Sequence, residues 1–95
     1  MAVLRIEHRV RDFDSWKQAF DSDPVGREQG GVRRYRILRA TTDPNLVFIE
    51  LELDGVSEAE AFLVRLRTLW SRVVEEGLIE APTARIVEEV ESRRI

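Results

Sequence analysis

The sequence predicts an α+β domain of the ferredoxin-like type, in which a four-stranded antiparallel sheet carries two helices on one face. Four segments alternate apolar and polar residues with a period of two, which is typical of half-buried strands. Two further segments repeat apolar residues at helical spacing, and the six segments follow one another as β-α-β-β-α-β. The 95 residues are enough for one domain, spanning 1–95, but not for two.

The first strand, the first helix and a connector occupy the beginning of the chain. Alternation over Ala2–Val10 predicts the strand. Asp12 offers an N-cap oxygen for a helix over Phe13–Asp21, where aromatic residues recur at helical spacing. Ser22–Gly31 contains proline and glycine, and we interpret it as a connector with one helical turn at most.

Two strands joined by a hairpin follow the connector. Val32–Thr41 and Leu46–Leu53 both alternate apolar and polar residues, and the second of them is the clearest strand in the chain. Thr42–Asn45 lies between them and is rich in turn-forming residues, so it predicts the hairpin.

A long helix and a last strand complete the fold. Ser57 and Glu60 form a capping box, and apolar residues at helical spacing continue from there to Glu76. The pattern leaves open whether this segment is one helix or two helices with a break near Thr68. The last strand is predicted over Thr83–Glu91.

Alternation along the strands assigns their side chains to the two faces of the sheet. The face toward the helices is expected to hold Leu4, Ile6, Val47, Ile49, Leu51 and Leu53, packed against Trp16, Phe20, Phe62 and Leu66. The opposite face, called the open face below, is expected to present Val3, Arg5, Glu7, Arg9, Val32, Arg34, Arg36, Leu38, Leu46, Phe48, Glu50, Glu52 and Val87.

The composition of the open face predicts self-association. Antiparallel sheets often leave one face in water, but here the apolar members form a sizeable patch. Charges of both signs can pair across neighbouring strands, and a chain this small buries little surface alone. We therefore predict a homodimer in which two open faces pack together, since two-fold dimers are the commonest small oligomers. Such a dimer encloses a chamber between its sheets.

The composition also excludes several classes of function. The chain has no cysteine and one histidine, His8, which argues against a metal site. A net charge of −3 and a pI near 5.2 argue against a nucleic-acid partner. No uncharged apolar stretch approaches the ~18 residues of a membrane span, and the charged N-terminus does not fit a signal peptide. We expect a cytoplasmic protein with neither a membrane nor a nucleic-acid partner.

Several stretches together resemble the dimeric α/β-barrel superfamily, which includes antibiotic-biosynthesis-monooxygenase-like, stress-responsive barrel and cyclase-like small proteins. They are His8-Arg9-Val10, Asp12–Trp16, Gly31–Arg36, Asp43-Pro44-Asn45, Leu46–Leu53 and Ala59–Phe62. The resemblance implies a homodimer without a cofactor. It also implies a small hydrophobic or aromatic ligand, held in the barrel interior or between sheet and helices.

The chain departs from the family pattern at the positions that carry chemistry. Cofactor-free monooxygenases of this kind use asparagine, tryptophan and tyrosine around an aromatic polyketide, whereas Asn45 is the only asparagine here and lies in a turn. Tyr35 is the only tyrosine, so no catalytic residue is carried over. Haem-degrading relatives need a histidine on a helix, whereas His8 lies on the first strand.

Three residues are candidates for moving protons. His8 has an ordinary pKa near neutrality and suits a general base, although a hydrogen-bonded histidine near a strand end is the commoner explanation. Glu7 and Glu50 could share a cavity on neighbouring strands, which would raise the pKa of one of them. Alternatively, both carboxylates pair with arginines of the open face and neutralise an interface.

Other side chains are candidates for ligand contact. Arg34 and Arg36 could hold a carboxylate or phenolate, with Phe48 as an apolar wall beside them. Trp16 and Trp70 are interpreted as core anchors, and the alternative for Trp70 is a position bordering a pocket between helix and sheet.

These observations lead to one functional hypothesis and two alternatives. The hypothesis is a homodimeric small-molecule-binding barrel protein, acting as a cofactor-free monooxygenase or cyclase on an aromatic or polyketide-like compound. The first alternative is a non-catalytic dimerisation or ligand-sensing module, and the second is a monomeric domain whose open face binds another protein. The sequence does not decide whether the protein is an enzyme.

Overall fold

The structure, a computed structural model, describes all 95 residues and contains four strands and two helices. In chain order they are β1 (Ala2–Arg9), α1 (Phe13–Asp21), β2 (Arg34–Ala40), β3 (Asp43–Leu53), α2 (Val56–Glu75) and β4 (Thr83–Glu88). The strands form one antiparallel sheet in the order β2-β3-β1-β4, with both helices on one face. The predicted ferredoxin-like βαββαβ fold is confirmed.

The core lies between α2 and the two central strands. Alternate residues of β1 and β3 point toward α2 because successive side chains of a strand lie on opposite faces. Phe62 of α2, with 1% of its surface exposed, is the largest of the fully buried side chains. The buried strand residues are Ala2, Leu4, Ile6, Val47, Ile49, Leu51 and Leu53, and those of α2 are Ala59, Phe62, Leu63 and Leu66.

Helix α1 packs more loosely than α2. It begins as predicted, because the carboxylate of Asp12 accepts the backbone N–H of Ser15 at 2.9 Å. Hydrogen bonds from Ser15 lower the pKa of Asp12 below its ordinary value. No residue of α1 is buried, although Trp16 and Phe20 contact the core cluster. The helix therefore covers the sheet incompletely.

The connector between α1 and β2 consists of turns without a helix. The Asp23 carboxylate accepts the backbone N–H of Arg27 at 2.9 Å, which stabilises a turn whose first residue has a φ of 55°. Gly30 lies directly on α2, because a Cβ atom at this position would come within 2.5 Å of the Phe62 ring. This close approach holds the connector beside the helices.

The β2–β3 hairpin differs from the prediction at both ends. Val32 does not lie on the open face: it precedes β2, and at 9% exposure it belongs to the core. The turn comprises only residues 41–42, since β3 begins at Asp43 and the register shifts between Arg39 and Ala40. Turn-forming residues therefore continue into the strand, where the Asp43 carboxylate accepts the backbone N–H of Asn45.

Two predictions about the second half of the chain are wrong. The N-cap of α2 is Gly55, without a side-chain hydrogen bond, so Ser57 lies inside the helix and forms no capping box. Strand β4 ends at Glu88, not Glu91, because Glu88 pairs with Ala2, the first residue of β1, and no strand lies beyond it. Helix α2 is continuous through Thr68. Neither helix combines the length and apolar character that crossing a membrane requires.

Candidate functional site

A pocket of about 600 Å³ lies between the two helices and the sheet. Both helices, strands β1 and β3, the connector and the segment after α2 contribute to its wall, and 14 of its 23 lining residues are hydrophobic. It exists because α1 packs loosely over the sheet. A largely apolar cavity of this size is suited to a drug-sized organic molecule.

His8 is the buried polar residue of the core face and lines this pocket. Its Nδ1 atom lies 3.2 Å from the carbonyl oxygen of Arg9. Since a carbonyl can only accept, we assign the proton of the neutral ring to Nδ1, which leaves a lone pair on Nε2. Burial lowers the pKa of His8 below its ordinary 6.5, so the ring is neutral at pH 7.

The Nε2 atom of His8 is available to a ligand. It makes no hydrogen bond within the chain. Every fully buried side-chain nitrogen or oxygen in the protein has a hydrogen-bond partner, so an unpartnered Nε2 cannot be fully buried and must be accessible. The residue is 5% exposed and lines the pocket, so the pocket is the cavity from which a ligand would reach the ring. A neutral imidazole with a free lone pair in an apolar cavity can act as a general base.

Aromatic rings form one wall of the pocket. Trp16 and Phe20 of α1 line the pocket with ring centroids 5.3 Å apart, and Phe13, which is not part of the lining, packs against Trp16 at 5.8 Å. The Trp16 ring also meets the His8 ring at 5.8 Å in an edge-to-face arrangement. Trp70 of α2 lines the same pocket. Both tryptophans are half-buried and not enclosed in the core, so the pocket-bordering alternative for Trp70 is correct.

Arg27 lines the pocket, although the sequence predicts its segment to be a plain connector. Its guanidinium stacks on Phe20 at 3.9 Å and lies 4.9 Å from the Tyr35 ring. One of its nitrogens donates to the carbonyl of Phe20 at 2.7 Å, and 16% of the side chain is exposed. Phe20 is predicted on the helical side of the sheet, but no pattern in the sequence indicates that an arginine of the connector stacks on its ring.

The open face carries the remaining candidate residues. Glu50 lies between two arginines, 3.1 Å from Arg5 and 2.9 Å from Arg36. Arg34 lies 3.6 Å from Glu52 in the same register. The alternative that Glu50 serves in structural ion pairs therefore agrees with its contacts.

The predicted residues do not form one constellation. Glu7, Glu50, Arg34, Arg36 and Phe48 project from the open face, as their positions in the strand register require. His8 projects from the helical face into the pocket, so the sheet separates it from both glutamates. No group of three or more histidine, aspartate or glutamate side chains is arranged to hold a metal ion.

Comparison with known proteins identifies the fold. No family model and no curated protein sequence matches the chain. Solved structures do match, among them an antibiotic biosynthesis monooxygenase-type protein from Deinococcus radiodurans, with a TM-score of 0.74, 13% identity and coverage of 100% of this chain and 98% of that one. SnoaB, a cofactor-independent oxygenase from Streptomyces nogalater, matches with a TM-score of 0.74, 12% identity and coverage of 96% and 94%.

A third structure, of an antibiotic biosynthesis monooxygenase-type protein from Nitrosomonas europaea, has a TM-score of 0.67 at 19% identity and covers 96% of this chain and all of that one. At these identities the similarity demonstrates a shared fold. It is the βαββαβ fold of these antibiotic biosynthesis monooxygenase-type structures, as the sequence resemblance predicted.

Proposed function

We propose that this protein is a cytoplasmic homodimer that binds an aromatic or polyketide-like compound between its helices and sheet and oxygenates it without a cofactor. One observation carries the proposal: the neutral His8, whose Nε2 has no hydrogen-bond partner in the chain, lines a largely apolar pocket of about 600 Å³ with aromatic walls. The fold shared with a cofactor-independent oxygenase supports the same chemistry.

His8 would act by removing a proton from the bound compound. For a phenolic anthrone, Nε2 accepts a proton from the CH₂ group, and the resulting enolate gives one electron to O₂. The organic radical and superoxide combine in a C–O–O bond, and the proton held on Nε2 passes to the terminal oxygen to give the hydroperoxide. Loss of water from the hydroperoxide leaves a carbonyl. The overall change is CH₂ + O₂ → C=O + H₂O. A bound compound that fills the largely apolar pocket would displace water from it, which would slow reprotonation of the carbanion.

The open face has a separate role in this proposal, as the surface on which two protomers pack. Exposed apolar side chains accompany its ion pairs, with Leu38 41% and Val87 37% exposed. The chamber between the two sheets would then be lined by Arg34, Arg36 and Phe48. The ligand contacts predicted for these three residues would require a ligand in that chamber, which is separated by the sheet from the pocket beside His8. Glu7 and Glu50 would neutralise arginines there and take no part in proton transfer at His8.

Ligand binding can be followed with the protein's own fluorescence, since its only two tryptophans, Trp16 and Trp70, both line the pocket. Addition of 1,8-dihydroxyanthrone is expected to quench the emission in a saturable manner. Trp16→Phe and Trp70→Phe should each retain part of the quenching, because the other ring still reports. Absence of saturable quenching in the wild-type protein would contradict a pocket for such compounds.

Catalysis is tested by O₂ consumption with the same anthrone. The wild-type protein should accelerate O₂ uptake and anthraquinone formation in equal amounts, whereas His8→Gln should lose roughly a hundredfold or more, the usual contribution of a general base. Ser71→Ala, an exposed substitution on α2, is the matched control and should be fully active. Saturable binding without any O₂ uptake would favour the alternative of a ligand-sensing module.

The homodimer is tested independently by sedimentation equilibrium. The protein should show twice the 11.0 kDa mass of one chain at micromolar concentration. A single chain at every accessible concentration would eliminate the dimer without affecting the assignment of the pocket.

A further inference from the structure

Two arginines on the open face lie directly opposite one another. In the register of β1 with β4, Arg5 pairs with Arg85, so two guanidinium groups project side by side from neighbouring strands. Like charges at directly opposed positions destabilise a sheet. An anion beside the two arginines would relieve this repulsion, above all where the surface is removed from water.

The chain itself supplies too little negative charge at this place. Arg5 contacts Glu50 at 3.1 Å, but the same carboxylate also binds Arg36 at 2.9 Å and is thus shared. Arg85 makes no ion pair within 4 Å. Within one protomer the Arg5–Arg85 pair is therefore only partly neutralised.

The open face also carries an unpaired anion close by. Glu7 lies two residues beyond Arg5 on β1 and is exposed. Its register partners are Phe48 on β3 and Thr83 on β4, neither of which is charged. It forms no salt bridge in the chain. Burying Glu7 in an interface without a cation would be costly.

We propose that Glu7 of each protomer binds the Arg5–Arg85 pair of the other protomer. This inference rests on the homodimer proposed above and specifies how its two copies recognise each other. In a two-fold interface a contact from one residue to another occurs twice, so a single type of ion pair satisfies both unpaired carboxylates and both arginine pairs. The unpaired negative charge of Glu7 and the excess positive charge of the Arg5–Arg85 pair thus make the open face complementary to the open face of a second copy.

Apolar pairs lie on either side of this charged region. Val3 faces Val87 on one side, and Leu38 faces Phe48 on the other. Such residues exclude water from a central contact, and exclusion of water strengthens an ion pair between protomers. The proposed ion pair is thus flanked by apolar residues, and its charges select the partner surface.

Charge reversal tests the inference. Glu7→Arg alone should raise the dimer dissociation constant by about 30-fold or more, because each protomer then opposes an arginine to two others. Arg85→Glu should also weaken the homodimer. An equimolar mixture of the two variants should form a heterodimer, since one contact keeps the native charges and the other pairs Arg with Glu. Glu60→Arg, an equal charge change on the exposed side of α2, is the control.

Sedimentation equilibrium of each variant and of the mixture measures these constants, with far-UV circular dichroism to verify folding. Equal dissociation constants for Glu7→Arg and Glu60→Arg, or a mixture no tighter than the separate variants, would reject the ion pair while the dimer stands. A wild-type protein that stays monomeric would reject both the ion pair and the dimer.

Discussion

Leu4 and Arg5 are neighbours in β1, yet their side chains enter opposite environments. Leu4 is fully buried against the helices, whereas 55% of the Arg5 side chain is exposed on the open face. The same division continues along β3, where Leu51 is buried and Glu50 binds arginines. Two faces of one sheet therefore hold different kinds of interaction.

The two faces differ in what covers them. The helical face is closed within the chain by α2, and its remaining gap beneath α1 is an apolar pocket with one buried base. The open face is covered by nothing in the chain and depends on exposed ion pairs, each of which contributes little to stability. Most of the stability of the chain therefore resides on the helical face, which under the proposed function also binds the ligand, while the open face recognises a second copy.

The largest expected effect contrasts two phenylalanines on the two faces. Phe62→Ala should lower the free energy of unfolding by about 3–5 kcal/mol, because the side chain is 1% exposed and its removal leaves a cavity. Phe48→Ala should cost about 1 kcal/mol or less within a protomer, because Phe48 is only half-buried. Urea denaturation at several protein concentrations measures both values.

The concentration dependence of these values sharpens the contrast. The deficit of Phe48→Ala should grow at concentrations where the wild-type protein is dimeric, while that of Phe62→Ala should not change. Equal losses for the two variants at low concentration would contradict the division of roles between the faces.

A smaller effect is expected where the connector meets α2. Gly30→Ala should cost about 1–3 kcal/mol, because its Cβ would approach the Phe62 ring to 2.5 Å and force a displacement. Displacement of Phe62 should also weaken anthrone binding, since this ring lines the pocket. Gly55→Ala is a control with ordinary backbone geometry, where the nearest atom is the flexible carboxylate of Glu58, and it should cost less than about 1 kcal/mol.

Urea denaturation and tryptophan quenching compare the two glycine variants. If Gly30→Ala were as stable as the wild-type protein, the connector would be free to move away from α2, and its part in shaping the pocket would have to be abandoned.

On the open face, Glu50→Gln should lower the free energy of unfolding of a protomer by about 1 kcal/mol or less, as expected for exposed ion pairs. The dimer should be affected more, because Arg5 and Arg36 then enter the interface without their shared carboxylate. Sedimentation equilibrium and tryptophan quenching separate the two roles. A variant that stays dimeric but no longer binds anthrone would place the ligand in the chamber between the sheets, and not in the pocket.

The fold was predictable because periodicity and turn chemistry act locally. Alternation along Ala2–Arg9 and Leu46–Leu53 places each of these residues on the correct face, and Asp12 is recognisable as a cap from its neighbours alone. The errors occurred where tertiary contacts determine the end of a strand or the environment of a residue. Val32 continues an alternating pattern, but the connector draws it into the core. The end of β4 depends on where its partner strand β1 begins, which no local pattern reveals.

The site was less predictable than the fold, because it depends on a gap and not on a pattern. His8 was recognised as a candidate base on an apolar face. Its separation from Glu7 and Glu50 follows from the strand register, but the cavity beside it follows from the loose packing of α1. Arg27 reaches that cavity only because the turns of the connector bring it over Phe20. Distances of this kind are set by the three-dimensional packing.

The smallest expected effect concerns the pH dependence of stability and comes from the helical face alone. Burial lowers the pKa of His8 below its ordinary 6.5, so between the two values the unfolded chain binds more protons than the folded one. The stability that His8 contributes is therefore complete above pH 6.5 and decreases as the pH falls through the folded-state pKa.

His8→Gln should remove this dependence, so its free energy of unfolding should vary less between pH 7.5 and 5.5 than that of the wild-type protein. The carboxylates with lowered pKa values, among them Asp12 and Asp43, lose their contribution only as the pH falls below their ordinary 3.8, and they are present in both proteins. Urea denaturation across this pH range measures the difference. Identical slopes for the two proteins would mean that His8 is protonated as readily in the folded chain as in the unfolded one. It would then be charged over part of this range, and unsuited to act there as the base of an apolar pocket.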